Sequence, residues 1–164
     1  MRRSIRVFSA ALSVLAIVAG AASIAHAAAC RPVQGFLVET PLPASSCGSP
    51  VGLCTVGQIF GAVKGEALFT ASAVIPSLDT AVTGVVFVVG DTVINNVQLG
   101  NYRGTVVTKN AAAFRVGGGD IVDIQTVLGG TGDFAGVTGS LQVHGTFDPD
   151  TGGTSTFEGV VCIP

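Results

Sequence analysis

The sequence predicts an all-β fold, a sandwich or closed barrel with the single antiparallel barrel preferred, and three observations carry that expectation. From Thr55 onward, apolar residues do not recur at the three-four spacing of a helix. Gly, Thr and Val dominate instead; Val and Thr suit pleated surfaces, and glycine weakens helix interiors. About eight or nine short alternating segments follow one another, separated by Gly, Pro, Asn and Asp clusters. Charged residues make up only 11% of the chain. They give exposed strand edges little protection, and closing the sheet removes the edges.

The chain opens with a segment that reads as a secretory signal. Arg2, Arg3 and Arg6 precede an apolar run from Val7 to Ala22, and Ala25-His26-Ala27 supplies small residues at the cleavage positions. The alternatives are a retained membrane anchor, for which the run falls short of about 20 residues, and lipidation of Cys30, before which Ala27-Ala28-Ala29 lacks the usual Leu. Cleavage after Ala27 leaves one domain over residues 28–164. Of eight Lys and Arg, three lie in the leader, leaving five against ten Asp and Glu, a formal charge of −5. Nucleic acid and anionic membranes require a basic face and are not expected partners. The expected location is periplasmic or extracellular, with no membrane span after processing.

Val33 to Thr40 reads as the first strand, and Pro41 to Cys54 as a loop rich in Pro, Ser and Gly. Thr55 to Val63 and Gly65 to Ile75 are the next strands. In the second of these, Gly65, Ala67, Phe69, Ala71, Ala73 and Ile75 share one face and Glu66, Leu68, Thr70, Ser72 and Val74 the other. Val82 to Val89 is apolar on both faces, which suggests an inner face and a subunit interface. Asp91 to Leu99 is a weaker strand, an edge or hairpin arm, with Asn95-Asn96 as a bulge or turn. Tyr102 to Lys109 puts Tyr102, Gly104 and Val106 opposite Arg103, Thr105, Val107 and Lys109. Gly117-Gly118-Gly119 marks a turn. Ile121 to Leu128 groups Val122, Ile124 and Leu128 as the apolar stripe, opposite Asp123 and Gln125.

The segment Gly129 to Gly139 is framed by glycines at 129, 130, 132, 136 and 139, and Phe134 is its one large apolar side chain, expected to plug the core. Leu141, Val143 and Phe147 then point inward and Ser140, Gln142, His144 and Thr146 outward. Asp148 to Gly153 is a turn, and Ser155, Phe157 and Val161 lie on the inner face of the last strand.

Cys30, Cys47, Cys54 and Cys162, an even number in an exported chain, suggest disulfides. Three connectivities are open. The favoured one joins Cys47 to Cys54, stapling the Ser/Gly/Pro loop, and Cys30 to Cys162, tying the ends of the fold. In an up-and-down barrel the last strand pairs with the first, which brings Cys162 near Cys30. No CxxC spacing occurs and His144 is the one histidine after the leader, so neither a metal nor a cofactor is expected. The Asp148 to Gly153 turn lacks the ligand set of a calcium loop. The glycine segment lacks the Lys and following helix of a phosphate loop, and no GxSxG motif supports hydrolase chemistry.

Residues 126 to 162, with Gly129-Gly-Thr-Gly-Asp-Phe-Ala-Gly-Val-Thr-Gly139 at their head, resemble the late signature of the allene oxide cyclase-like and dirigent-like barrels, and the chain looks more like their small exported bacterial relatives, which share the late motif without an assigned reaction, than like the plant members. Asp133 departs from the basic or polar residue found there in many relatives. The resemblance implies an eight-stranded antiparallel barrel of calycin type, often a homo-oligomer, with an apolar cavity. It also implies steering of a reactive intermediate in the plant members, by cyclisation of a fatty-acid epoxide or by orientation of phenoxy radicals. Plant dirigent proteins tend to join their ends by a disulfide, in keeping with Cys30–Cys162.

Candidate catalytic residues are few. Glu66 and Asp123 lie within strands and would act as general acid or base if they faced a cavity, although alternation places both on the solvent side. Tyr102 belongs with the inner set, as packing or as a donor, and His144 falls on the outer face. Phe69, Tyr102 and Val106 are the candidate cavity residues. Three functional expectations follow. The first is a barrel that binds a small apolar molecule without turnover. The second is a cyclase or dirigent-type catalyst that works by conformational control. The third is a structural or interaction protein of the cell exterior with a filled barrel.

Overall fold

The computed structural model describes residues 28–164. The expected leader and its cleavage site at Ala27 lie outside the described residues. Eight strands form in chain order: β1 (Ala29–Pro41), β2 (Cys54–Gly61), β3 (Lys64–Pro76), β4 (Val85–Leu99), β5 (Tyr102–Arg115), β6 (Gly119–Gly132), β7 (Thr138–Asp148) and β8 (Gly152–Ile163). Each pairs antiparallel with its sequence neighbours, and β8 pairs with β1 to close the barrel. A 3-10 turn at Ala44–Ser46 lies in the β1–β2 loop, and a one-turn helix, α1 (Thr80–Thr83), precedes β4. No helix among the described residues is long and apolar enough to cross a membrane.

Several sequence expectations are corrected here. The strand expected over Val82 to Val89 starts only at Val85, and Val82 sits exposed in α1. The Thr80 hydroxyl accepts from the Ser77 amide and donates to the Val85 carbonyl, and Gly84 ends the turn in the left-handed region at φ 68°. Asp91 to Leu99 is neither an edge nor a separate hairpin arm. It continues β4 through Gly90, where a Cβ would stand 2.4 Å from the Phe69 ring. Glycine at that position lets an inward Phe from β3 pass against the backbone of β4. The Asn95-Asn96 irregularity is a bulge, with Asn96 at φ 52° and pairing resumed at Val97. β5 runs on past Lys109 through three alanines to Arg115, because closed pairing overrides their helical preference. Ile75, expected inward, faces out opposite Phe87, since the bulge between Ala71 and Ala73 reverses the alternation.

Inside the barrel, alternation from all eight strands builds two apolar clusters. One, around Val33, Ile59, Ile94, Val106, Phe157 and Val161, is plugged by Phe134 and Val137 of the glycine-framed segment. The other holds Ala71, Val86, Val88, Phe114 and Phe147. Phe134 is 1% exposed, as its isolation among glycines predicts. Gly132, at φ 63°, makes the turn that delivers it, and a Cβ there would lie 2.6 Å from the Arg103 carbonyl.

Both favoured disulfides form, Cys30–Cys162 and Cys47–Cys54. Cys30 and Cys162 are direct cross-strand partners on β1 and β8, so this bond locks the seam of the barrel. The two bonds span 132 and 7 residues respectively, and a cross-link that closes the longer loop restricts the unfolded chain more. Replacing Cys30 and Cys162 by Ser is expected to lower unfolding free energy by about 2–5 kcal/mol, more than the same change at Cys47 and Cys54. Urea denaturation under oxidising conditions tests this; equal losses would mean that sheet pairing alone holds the seam.

Candidate functional site

Between the two apolar clusters the barrel wall carries a belt of polar side chains. β1 supplies Glu39, β2 Thr55, β4 Thr92, β5 Thr108 and Asn110, β6 Asp123 and Gln125, and β8 Ser155; all line one interior cavity of about 110 Å³. Each occupies an inward position of its strand. Glu39 follows Leu37 at a spacing of two, Thr108 and Asn110 follow Val106, and Ser155 precedes Phe157.

Hydrogen bonds in this belt converge on Asp123. Its Oδ2 accepts from Asn110 Nδ2 at 2.8 Å and Gln125 Nε2 at 2.9 Å. Asn110 Oδ1 in turn accepts from the hydroxyls of Thr92, at 3.1 Å, and Thr108, at 3.0 Å. These contacts fix the two amides so that their N–H groups point at the carboxylate. In the same belt, Glu39 Oε2 accepts from the Thr55 hydroxyl at 2.7 Å. Among the described residues, two buried side-chain polar atoms have no hydrogen-bond partner, Asp123 Oδ1 and Ser155 Oγ.

The electrostatics follow from burial. Asp123 is 8% exposed. Desolvation raises its carboxyl above the ordinary 3.8, against the opposing hydrogen bonds from Gln125 and Asn110. Glu39, half-buried, is raised from 4.5 chiefly by desolvation; the Thr55 hydrogen bond opposes this and the charge of Asp123 adds to it. The one ion pair among the described residues, Lys109 with Asp91, lies part-exposed away from the cavity.

The candidate residues named from sequence separate clearly. Asp123 faces the interior, which corrects the expectation that it and Gln125 point to solvent. Val122, Ile124 and Leu128, taken as the inner stripe, are instead 58–59% exposed. Pairing decides the matter: Asp123 lies opposite Val143 and Gln125 opposite Leu141, both inward residues of β7, and cross-strand partners share a face. Glu66 faces outward, with Asn96 Nδ2 3.5 Å from its Oε2, and takes no part in the cavity.

Tyr102 packs against the plugged cluster, its ring 6.4 Å from that of Phe134 and under the Arg31 guanidinium, and the cavity wall does not include it. Phe69 and Val106 do line the cavity. His144 is exposed and bonded to Thr156. Among the described residues no group of three or more His, Cys, Asp or Glu is placed to hold a metal.

Sequence reasoning missed Glu39, Thr55, Thr92, Thr108 and Asn110, which share inward parity with residues that can be recognised as core. That parity was the available signal. In comparisons with known proteins, no family model matches the chain and no curated protein is significantly similar to it.

The raised carboxyl makes stability depend on pH in a defined direction. The folded state keeps a proton that the unfolded chain releases above about 3.8. The contribution of Asp123 to folding is therefore fully present below that pH and is lost as pH rises through the elevated folded value. Asp123→Asn keeps an acceptor for Asn110 and Gln125 and removes the charge. The variant is expected to exceed the parent in unfolding free energy at pH 8, with the gap closing by about pH 3. Urea titrations at the two pH values measure the gap, and a gap independent of pH would show that Asp123 carries no extra proton into the fold.

Proposed function

We propose that this chain is an exported barrel that binds a small, largely apolar molecule in its interior. The observation that carries the reading is the cavity itself, about 110 Å³ lined by side chains such as Leu37, Ile59, Phe69, Ile94, Val106 and Phe157. An apolar cavity of about 150 Å³ holds benzene, so the occupant is of the order of one aromatic ring or a short alkyl chain. Two disulfides fit an oxidising compartment, which agrees with export. The resemblance of residues 126 to 162 to the allene oxide cyclase-like and dirigent-like barrels supports the same reading, as does the closed eight-stranded architecture.

A second reading, control of a reactive intermediate by a cyclase or dirigent-type protein, draws on one observation: Asp123 and Glu39 share the cavity, and burial raises the pKa of both. The filled structural barrel has less support, given the cavity. The outward residues Val122, Ile124 and Leu128 on β6 support a homo-oligomer, in place of the Val82 to Val89 segment favoured from sequence.

Native mass spectrometry of protein purified from its own culture medium is expected to show a bound small molecule. Calorimetric titration with toluene is expected to saturate for the parent chain and to show no heat of binding for Ala67→Phe, which fills the space beside Ile94. Circular dichroism establishes that the variant keeps its strands. Protein that is empty as isolated, and that binds none of a panel of short lipids and phenolics, would return the chain to the structural reading.

A further inference from the structure

We propose that the polar belt is a subsite for a primary ammonium group carried on a small apolar body, with Asp123 Oδ1 as its principal acceptor and Glu39 and Ser155 beside it. The proposal rests on the ligand-binding reading above and specifies the chemistry of the ligand. Three independent features of the cavity lead to it.

The first is the pair of atoms without partners. Nearly every buried polar atom in a folded protein has a hydrogen-bond partner. In this belt the amides of Asn110 and Gln125 and the hydroxyls of Thr55, Thr92 and Thr108 are all engaged. Asp123 Oδ1 and Ser155 Oγ are not, although Asp123 is 8% and Ser155 2% exposed. Asp123 takes two amide donors on its other oxygen, which leaves Oδ1 as the unpaired oxygen of a carboxylate that lines the cavity.

The second is charge. The wall carries two carboxyl groups, Glu39 and Asp123, and no Lys, Arg or His. A carboxylate removed from water without a partner is costly, and a cationic donor is the group that offsets the cost for both acids together. A ligand carboxylate or phosphate would meet two like charges and no cation. An ammonium has three donors in a compact head, and the acceptors that the wall offers it are the carboxyls of Asp123 and Glu39 and the Ser155 hydroxyl. The third feature is the flanking surface. Apolar clusters lie to either side of the belt, so the body attached to the head has Phe69, Ile94 and Phe157 to pack against. The raised pKa values of the two carboxyls agree with a site built to be completed by a cation.

Calorimetric titration with n-hexylamine, hexan-1-ol and hexanoate, which share one chain and differ in the head, tests the proposal at pH 7.5. Hexylamine is expected to bind at least about tenfold more tightly than hexanol, and hexanoate more weakly than either. Asp123→Asn is expected to remove most of the preference for hexylamine over hexanol, and Glu39→Gln to reduce that preference in part. Binding of hexylamine is expected to vanish in Ala67→Phe; its persistence there would place the amine on the outer surface and overturn the proposal.

Equal affinity for amine and alcohol would overturn the head-group assignment while the ligand-binding reading stood. Failure of all three probes and of toluene would remove both. An amine preference untouched by Asp123→Asn would place the head away from Oδ1 and also overturn the proposal. The comparison of probes on the parent chain does not depend on any variant folding.

Discussion

Closure of β1 onto β8 is the constraint on which the rest of the structure depends. Their pairing runs from Ala29 opposite Ile163 to Glu39 opposite Gly153, and the Cys30–Cys162 bond joins one of its pairs. Without that seam the chain would be an open sheet with two unprotected edges and few charges to guard them. With it, every strand has two neighbours, and the inward half of every strand lies in a space that water reaches poorly. The burial of Asp123, the partial burial of Glu39 and the existence of a cavity all follow from this closure, because the belt draws residues from six strands that are far apart in sequence.

Glycine and bulges make the closed sheet sterically feasible. Gly90 lets the Phe69 ring lie against the backbone of β4, and Gly132 turns the chain so that Phe134 enters the barrel end. The bulges at Asn95-Asn96 and between Ala71 and Ala73 bend long strands around the barrel and change which residues face in. A cylinder with a filled end and a layered interior results, apolar on both sides of a polar belt.

That belt carries a cost in stability. Burying Asp123 and Glu39 without a cation costs stability, and leaving Asp123 Oδ1 and Ser155 Oγ without partners adds to the cost. The apolar clusters and the disulfides offset this conflict. Such local inconsistency within an otherwise consistent fold is a feature of functional sites, and it is why the belt, rather than the exposed Glu66 or the packed Tyr102, is the chemically interesting part of the molecule.

The amino-acid sequence by itself determined the all-β class, the plugging role of Phe134 and the inward faces of β7 and β8, and it favoured the closed barrel over a sandwich and one disulfide pairing out of three. Each rests on a local signal: alternation, turn residues, an isolated aromatic among glycines, cysteines at the ends. Tertiary structure alone decided the orientation of β6. Within that strand the rule of apolar inside and polar outside points the wrong way, because Asp123 and Gln125 are buried by a hydrogen-bond network whose other members lie on β4 and β5. The continuity of β4 and β5 was equally out of reach, since Gly90 and the alanines after Asn110 look like interruptions until strands on both sides hold them in register. Alternation specifies that a strand has two faces; which face is inward is settled by what its neighbours place opposite.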